Sequence, residues 1–103
     1  MAQDAREFFE SLPGRVDSSK VAGMNNSYLF DIADAGMWFV TVEDGVVSVR
    51  EGEGEADATI SASDENFERI LSGEQNATAA YMSGKLKIKG DMGAAMKLQK
   101  LFS

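Results

Sequence analysis

Between Asn26 and Arg50 the side chains change character at nearly every step, and a period of two belongs to a strand rather than a helix. Tyr28, Phe30 and Ile32 alternate with Leu29, Asp31 and Ala33, and the run closes at Asp34-Ala35-Gly36, a turn signal. A second run from Met37 puts Trp38, Val40 and Val42 on one face and Met37, Phe39 and Thr41 on the other. Asp44-Gly45, the dipeptide of two-residue hairpin turns, then returns the chain as Val46 to Arg50. After the loop EGEGE, Ala56 to Ala62 reads as a modest fourth strand carried by Ala58 and Ile60. Strands that follow one another this closely pair as neighbours, so the sheet is expected to be mostly antiparallel.

Helices flank this block. Asp4 and Glu7 form a capping-box start, Phe8, Phe9 and Leu12 give an apolar face, and Pro13-Gly14 is expected to stop the first helix. Ser63 is a good N-cap for the next, whose first turn is acidic, whose face is Phe67, Ile70 and Leu71, and whose end is Gly73. A shorter Ala-rich piece covers Gln75 to Met82 and breaks at Gly84. In Lys85 to Lys89 the lysines point one way and Leu86 and Ile88 the other, a half-buried strand with a charged outer face. Asp91 then caps a last helix with Lys97 and Lys100 toward its C-terminal end.

At 103 residues the chain is read as one domain, 1–103. It has no Cys and no His, which removes disulfides, thiol nucleophiles, imidazole bases and the usual zinc or haem ligand sets. No metal or other cofactor is expected. The absence of Cys and of a signal-like apolar run points to a cytoplasmic protein. The net charge of −7 argues against a nucleic-acid binder and allows at most transient contact with membranes. That average hides an asymmetry: residues 1–84 hold five basic and sixteen acidic side chains, residues 85–103 five basic and one acidic. The C-terminal segment is a local positive patch.

The last helix carries more apolar surface than one contact needs. Leu101, Ala94, Leu98, Phe102, Ala95, Met92 and Met96 sweep about 220° of its wheel, roughly twice the stripe of a surface helix. Gln99 falls inside that arc, where an unsatisfied buried amide would cost about 1–3 kcal/mol. Two explanations fit the wheel. In one, this is a central core helix with Gln99 bonded to the backbone. In the other, one side packs on the sheet and the other lines a cavity for an apolar ligand, with Met82, Met92 and Met96 as adaptable walls.

Residues 79–101, AAYMSGKLKIKGDMGAAMKLQKL, resemble the signature segment of the sterol carrier protein 2 family of lipid-binding domains. The similarity extends upstream through the order of helix, three strands, ADATISAS and DENFERILSG, so it spans nearly the whole chain. The resemblance implies an α+β fold, a five-stranded mostly antiparallel sheet covered by helices that leave a hydrophobic tunnel. It implies non-catalytic binding, and intracellular transfer, of a long-chain lipid: a fatty acid, a fatty acyl-CoA or a sterol-like molecule. Carried over residue by residue, it turns Met82, Met92, Ala95, Met96 and Gln99 toward the ligand, with Phe67, Ile70, Leu71, Trp38 and Val40 as core. The chain ends at Phe102-Ser103 without the targeting tripeptide of the family's peroxisomal members, and a stand-alone domain is expected.

Three alternatives remain at the level of residues. The lysines at 85, 87, 89, 97 and 100 serve either as a solvated face or as partners for a ligand carboxylate or phosphate at the tunnel mouth. Asp31, Asp57 and Asp91 lie beside apolar residues and could supply acid–base catalysis, although Asp91 is better explained as a helix cap. An accessory or protein-interaction domain that kept this fold with a filled tunnel is the remaining reading. Neither the lipid head group nor the oligomeric state is encoded in these patterns.

Overall fold

The computed structural model describes residues 5–15, 19 and 21–97. Its elements are α1 (Ala5–Arg15), β1 (Asn25–Ala33), β2 (Gly36–Glu43), β3 (Val46–Glu51), β4 (Ala58–Ser63), α2 (Asp64–Ser72), α3 (Ala77–Met82), β5 (Leu86–Gly90) and α4 (Met92–Lys97). The five strands form one open sheet in the order β3-β2-β1-β4-β5. Three of the four pairings are antiparallel, as the close succession of strands implied. The fourth joins β1 to β4 in parallel, with Tyr28 opposite Ala58 and Ile32 opposite Ala62. Strand periodicity carries no sign of that pairing, because β4 reaches β1 only after the β2–β3 hairpin has been laid on the other side.

The alternation read from the sequence becomes a sheet with one buried face. Tyr28, Phe30 and Ile32 of β1, Trp38, Val40 and Val42 of β2, and Ala58 and Ile60 of β4 are each at most 3% exposed. The hairpin turns follow from their residues. Asp44 and Gly45 both take positive φ, 47° and 86°, the pairing that matches strand twist in a two-residue loop. On the opposite face Leu29, Met37 and Phe39 stay partly exposed. The Gly-rich loop crosses there: a Cβ on Gly54 would lie 2.6 Å from the Phe39 ring, over which the Arg50 guanidinium sits at 4.7 Å.

Phe9 organises the core. It stacks on Trp38 at 4.7 Å and on Phe67 at 5.5 Å, and meets Phe30 at 4.9 Å, so one α1 residue ties together β1, β2 and α2. Such pairs contribute about 0.5–1.5 kcal/mol each beyond the burial itself. Pro13 does not stop α1, which runs on to Arg15. The missing N–H costs one bond in the final turn, and full burial of Phe9 and Leu12 one turn earlier holds the helix in place. The Asp4 end of the expected capping box lies outside the described residues. For α2 the expected caps are found: Ser63 Oγ accepts from the Asn66 N–H at 3.1 Å, and Gly73 closes the helix at φ 87°.

The fold's last third hangs on one joint. Ser27 N–H donates to the Asp57 carboxylate at 3.0 Å, and Asp57 N–H donates back to Ser27 Oγ at 3.0 Å. Asp57 O accepts from Asp91 N–H at 2.8 Å, and Asp91 Oδ1 accepts from the N–H groups of Gly93 and Ala94 at 2.8 and 3.2 Å. Asp91 is therefore the N-cap that the sequence indicated. Above the joint, the buried Tyr28 hydroxyl donates to Ala94 O at 2.6 Å and fastens α4 to the central strand. Burial, then the charges of Asp57 and Asp91, push the Tyr28 phenol well above its ordinary value.

Two measurements test the joint. Gly90 has φ 104° and its missing Cβ would run into Asp57 O. Gly90→Ala should therefore lower the urea unfolding free energy by about 3 kcal/mol, since strain and clash add. Tyr28→Phe should cost about 1 kcal/mol at pH 7 by removing the bond to Ala94. The unfolded phenol ionises near pH ~10 and the folded one later, so its contribution is complete below that pH and declines as pH rises past it. Wild-type stability should thus fall more steeply than that of Tyr28→Phe in the range above pH ~10.

Candidate functional site

Of the residues expected to face a ligand, Met82 lies on α3 and Met92, Ala95 and Met96 on α4, the elements on either side of the edge strand β5 in the chain. Gly90-Asp91 turns the chain out of β5 and starts α4 directly over β4 and β5. Small side chains permit that approach: Ala94 and Ala95 are 2% and 7% exposed, and Ala80 of α3 is fully buried. Ala95 thus lies on the inner side of α4. Met92 and Met96, one turn apart, lie on the other side, 43% and 80% exposed. Met82, the last residue of α3, is 79% exposed. Gln99 lies outside the described residues, as do Leu98, Leu101 and Phe102.

The broad apolar arc is therefore used unevenly in the described part of α4. One flank, the alanines, is spent on the sheet, while the methionine flank is exposed. Among the described residues, four of the five large apolar side chains that are exposed, Tyr81, Met82, Met92 and Met96, fall within sixteen residues, and the fifth is Val46. Concentration of this kind marks a contact surface rather than the scattered exposure of ordinary surfaces. Residues 98–103, which carry the rest of the expected arc, lie outside the described residues. Phe67, Ile70, Trp38 and Val40 are buried, and Leu71 is partly buried, among the core residues.

Clefts among the described residues are open and mixed in lining. One of about 330 Å³ brings Lys85 and Lys87 beside Asp31, Ser61, Ser63 and Asn66. Another of about 160 Å³ opens between α1 and β3, where the Arg6–Glu51 ion pair at 3.2 Å flanks the edges of Phe9 and Trp38. The lysines at 85, 87, 89 and 97 are all exposed. The three carboxylates considered for catalysis are dispersed in role: Asp57 and Asp91 hold the joint, and Asp31 lines the lysine cleft. Two features escaped the sequence reading. The Tyr28 hydroxyl partner lies 66 residues away, and the α1–β3 cleft is lined by residues from three elements. Neither leaves a local pattern.

The fold finds counterparts among known proteins. The SCP-2 sterol transfer family matches residues 8–103. Hydroxysteroid dehydrogenase-like protein 2 of Danio rerio is 36% identical over 101 residues, a stretch that covers 94% of this chain and 24% of that protein. The chain thus spans about a quarter of the length of such curated relatives. Among solved structures, the palmitated SCP2L2 of Aedes aegypti superposes with a TM-score of 0.74 at 20% identity, covering 97% of this chain and 95% of that one. The stereoselective inverting sec-alkylsulfatase Pisa1 from Pseudomonas sp. contains the same fold, with a TM-score of 0.78 at 23% identity over 99% of this chain and 18% of that one. The sheet with its helices is the architecture of the sterol carrier protein 2 structures, and the chain belongs to the SCP-2 sterol transfer family.

Proposed function

We propose that this chain is a non-catalytic, cytoplasmic carrier domain that binds a long-chain lipid, a fatty acid, fatty acyl-CoA or sterol-like molecule, and exchanges it with membranes. The observation that carries the reading is the exposed methionine flank of α3 and α4, on the segment that bears the family signature. Met82, Met92 and Met96 would form the rim, Ala95 the inner wall, and Gln99 a polar contact to the ligand. Flexible thioethers suit a wall that must accept more than one chain shape. A chain of about fifteen carbons gains on the order of 12 kcal/mol on leaving water, at ~0.8 kcal/mol per methylene. A bilayer offers nearly the same gain, so the domain can trade lipid with it near equilibrium. No bond need be made or broken.

A second reading has its own support. The stack of Trp38, Phe9 and Phe67 occupies the space between α1, α2 and the sheet, and relatives carry this fold as about a quarter of a longer chain. An accessory domain with a filled tunnel would look the same in that region. Native mass spectrometry of the purified protein separates the two, because a filled interior retains no lipid.

The decisive test is a thermal melt of delipidated protein against a panel of long-chain fatty acids, acyl-CoA and sterols. A ligand seen only by the folded state, at a hundred times its Kd, adds about 2.7 kcal/mol. For a domain of this size that raises Tm by about 10–20 °C. An unchanged melting curve across the whole panel would remove the carrier reading and leave the accessory one.

A further inference from the structure

The described methionines divide sharply by exposure. Met24 is 3% exposed and Met37 is half-buried, whereas Met82, Met92 and Met96 are 79%, 43% and 80% exposed. Every described Leu, Ile and Phe, by contrast, is buried or half-buried. The apolar surface left open on α3 and α4 is thus carried mainly by thioethers, the apolar group most open to mild oxidation. The chain has no Cys to compete for an oxidant, and its one Trp, Trp38, is buried. We propose that Met82, Met92 and Met96 are sites of reversible oxidation by peroxides, and that their conversion to sulfoxides lowers the affinity of the lipid site. The loss of affinity rests on the carrier reading; the oxidation itself stands on exposure and chemistry alone.

In the reaction the thioether sulfur attacks one oxygen of hydrogen peroxide. The S–O bond forms as the O–O bond breaks, and sulfur gives up two electrons to the peroxide. The other oxygen leaves as hydroxide and takes the proton from the new S–OH group, so the products are a sulfoxide and water. Attack needs a sulfur open to solvent, so rates follow exposure: Met82 and Met96 first, Met92 later, Met24 last. The product is polar and accepts hydrogen bonds. Water satisfies it on an open surface, which leaves the fold undisturbed, but an acyl chain does not, and contact with lipid then costs desolvation. Met92 and Met96, four residues apart on α4, place their two sulfoxides side by side on one strip of the helix. Methionine sulfoxide reductases, one for each sulfoxide epimer, restore the thioether: thiols are oxidised to a disulfide and the oxygen leaves as water.

Delipidated protein is treated with hydrogen peroxide and the oxidised positions are mapped by peptide mass spectrometry. Affinity for fluorescent fatty-acid, acyl-CoA and sterol probes is measured before treatment, after it, and after repair with both reductases. Oxygen should enter at Met82 and Met96 before Met37 and Met24, and the melt of the ligand-free protein should not move. Affinity should fall about tenfold per oxidised side chain, the lower end of what burying one Met contributes, and return on repair. The triple variant Met82→Leu/Met92→Leu/Met96→Leu keeps apolar surface without sulfur, and whatever affinity it starts from should be the same before and after peroxide. Met37→Leu, on the opposite face of the sheet, should stay as sensitive as the wild type. Unchanged affinity in protein oxidised at all three positions, or a triple variant that still loses affinity, would overturn the switch and leave the carrier reading standing. Oxygen entering first at Met24 or Met37 would also overturn it. Untreated protein that binds none of the three probes would overturn the carrier reading and the switch together.

Discussion

A sheet with one greasy face must be roofed, and in this molecule the roof is fixed from below by Tyr28. Its ring fills the centre of the core while its hydroxyl, fully removed from solvent, holds Ala94 O at 2.6 Å. A buried phenol without a partner would be costly, so the bond sets both the height and the orientation of α4. With α4 placed by this bond, its alanine flank faces the sheet and its methionine flank cannot. The exposed thioethers are thus a consequence of how the core is closed.

The same joint shows how the placing of α4 depends on residues far upstream in the chain. Ser27, Asp57 and Asp91 form a relay of hydrogen bonds that aligns the start of β4, the end of β5 and the first turn of α4. These carboxylates face structural duties and are spoken for. What stays exposed around β5 is apolar on the side of α4 and lysine-bearing on the strand.

Much of this architecture was legible in the residues. The two-residue period from Tyr28 to Val42 sorted the side chains into two faces, one of which the structure buries, and Ser63, Gly73 and Asp91 announced helix ends that the structure reproduces. Local chemistry determines such features. Pro13 was misread because a buried Leu12 and Phe9 outweigh one lost backbone bond, an effect set by tertiary packing. The parallel β1–β4 pair and the Tyr28 bond were invisible for a related reason, since each joins residues 30 or more positions apart. At the site, the wheel singled out an apolar arc on the last helix, of which the structure describes Met92, Ala94, Ala95 and Met96. It could not say which flank would meet the sheet, because alanine and methionine both count as apolar and only their bulk decides the approach.

The parallel pairing in the middle of the sheet also governs the order of assembly. β1, β2 and β3 can zip together as successive hairpins, whereas the other side of β1 waits for β4, thirty residues downstream of its partner positions. Closing that span is entropically slower than forming a hairpin. A newly made or partly unfolded chain therefore passes through a stage in which the central strand presents a bare row of amides and carbonyls flanked by Tyr28, Phe30 and Ile32. Protection of that row during synthesis, by speed or by a chaperone, is a requirement the native state itself no longer displays.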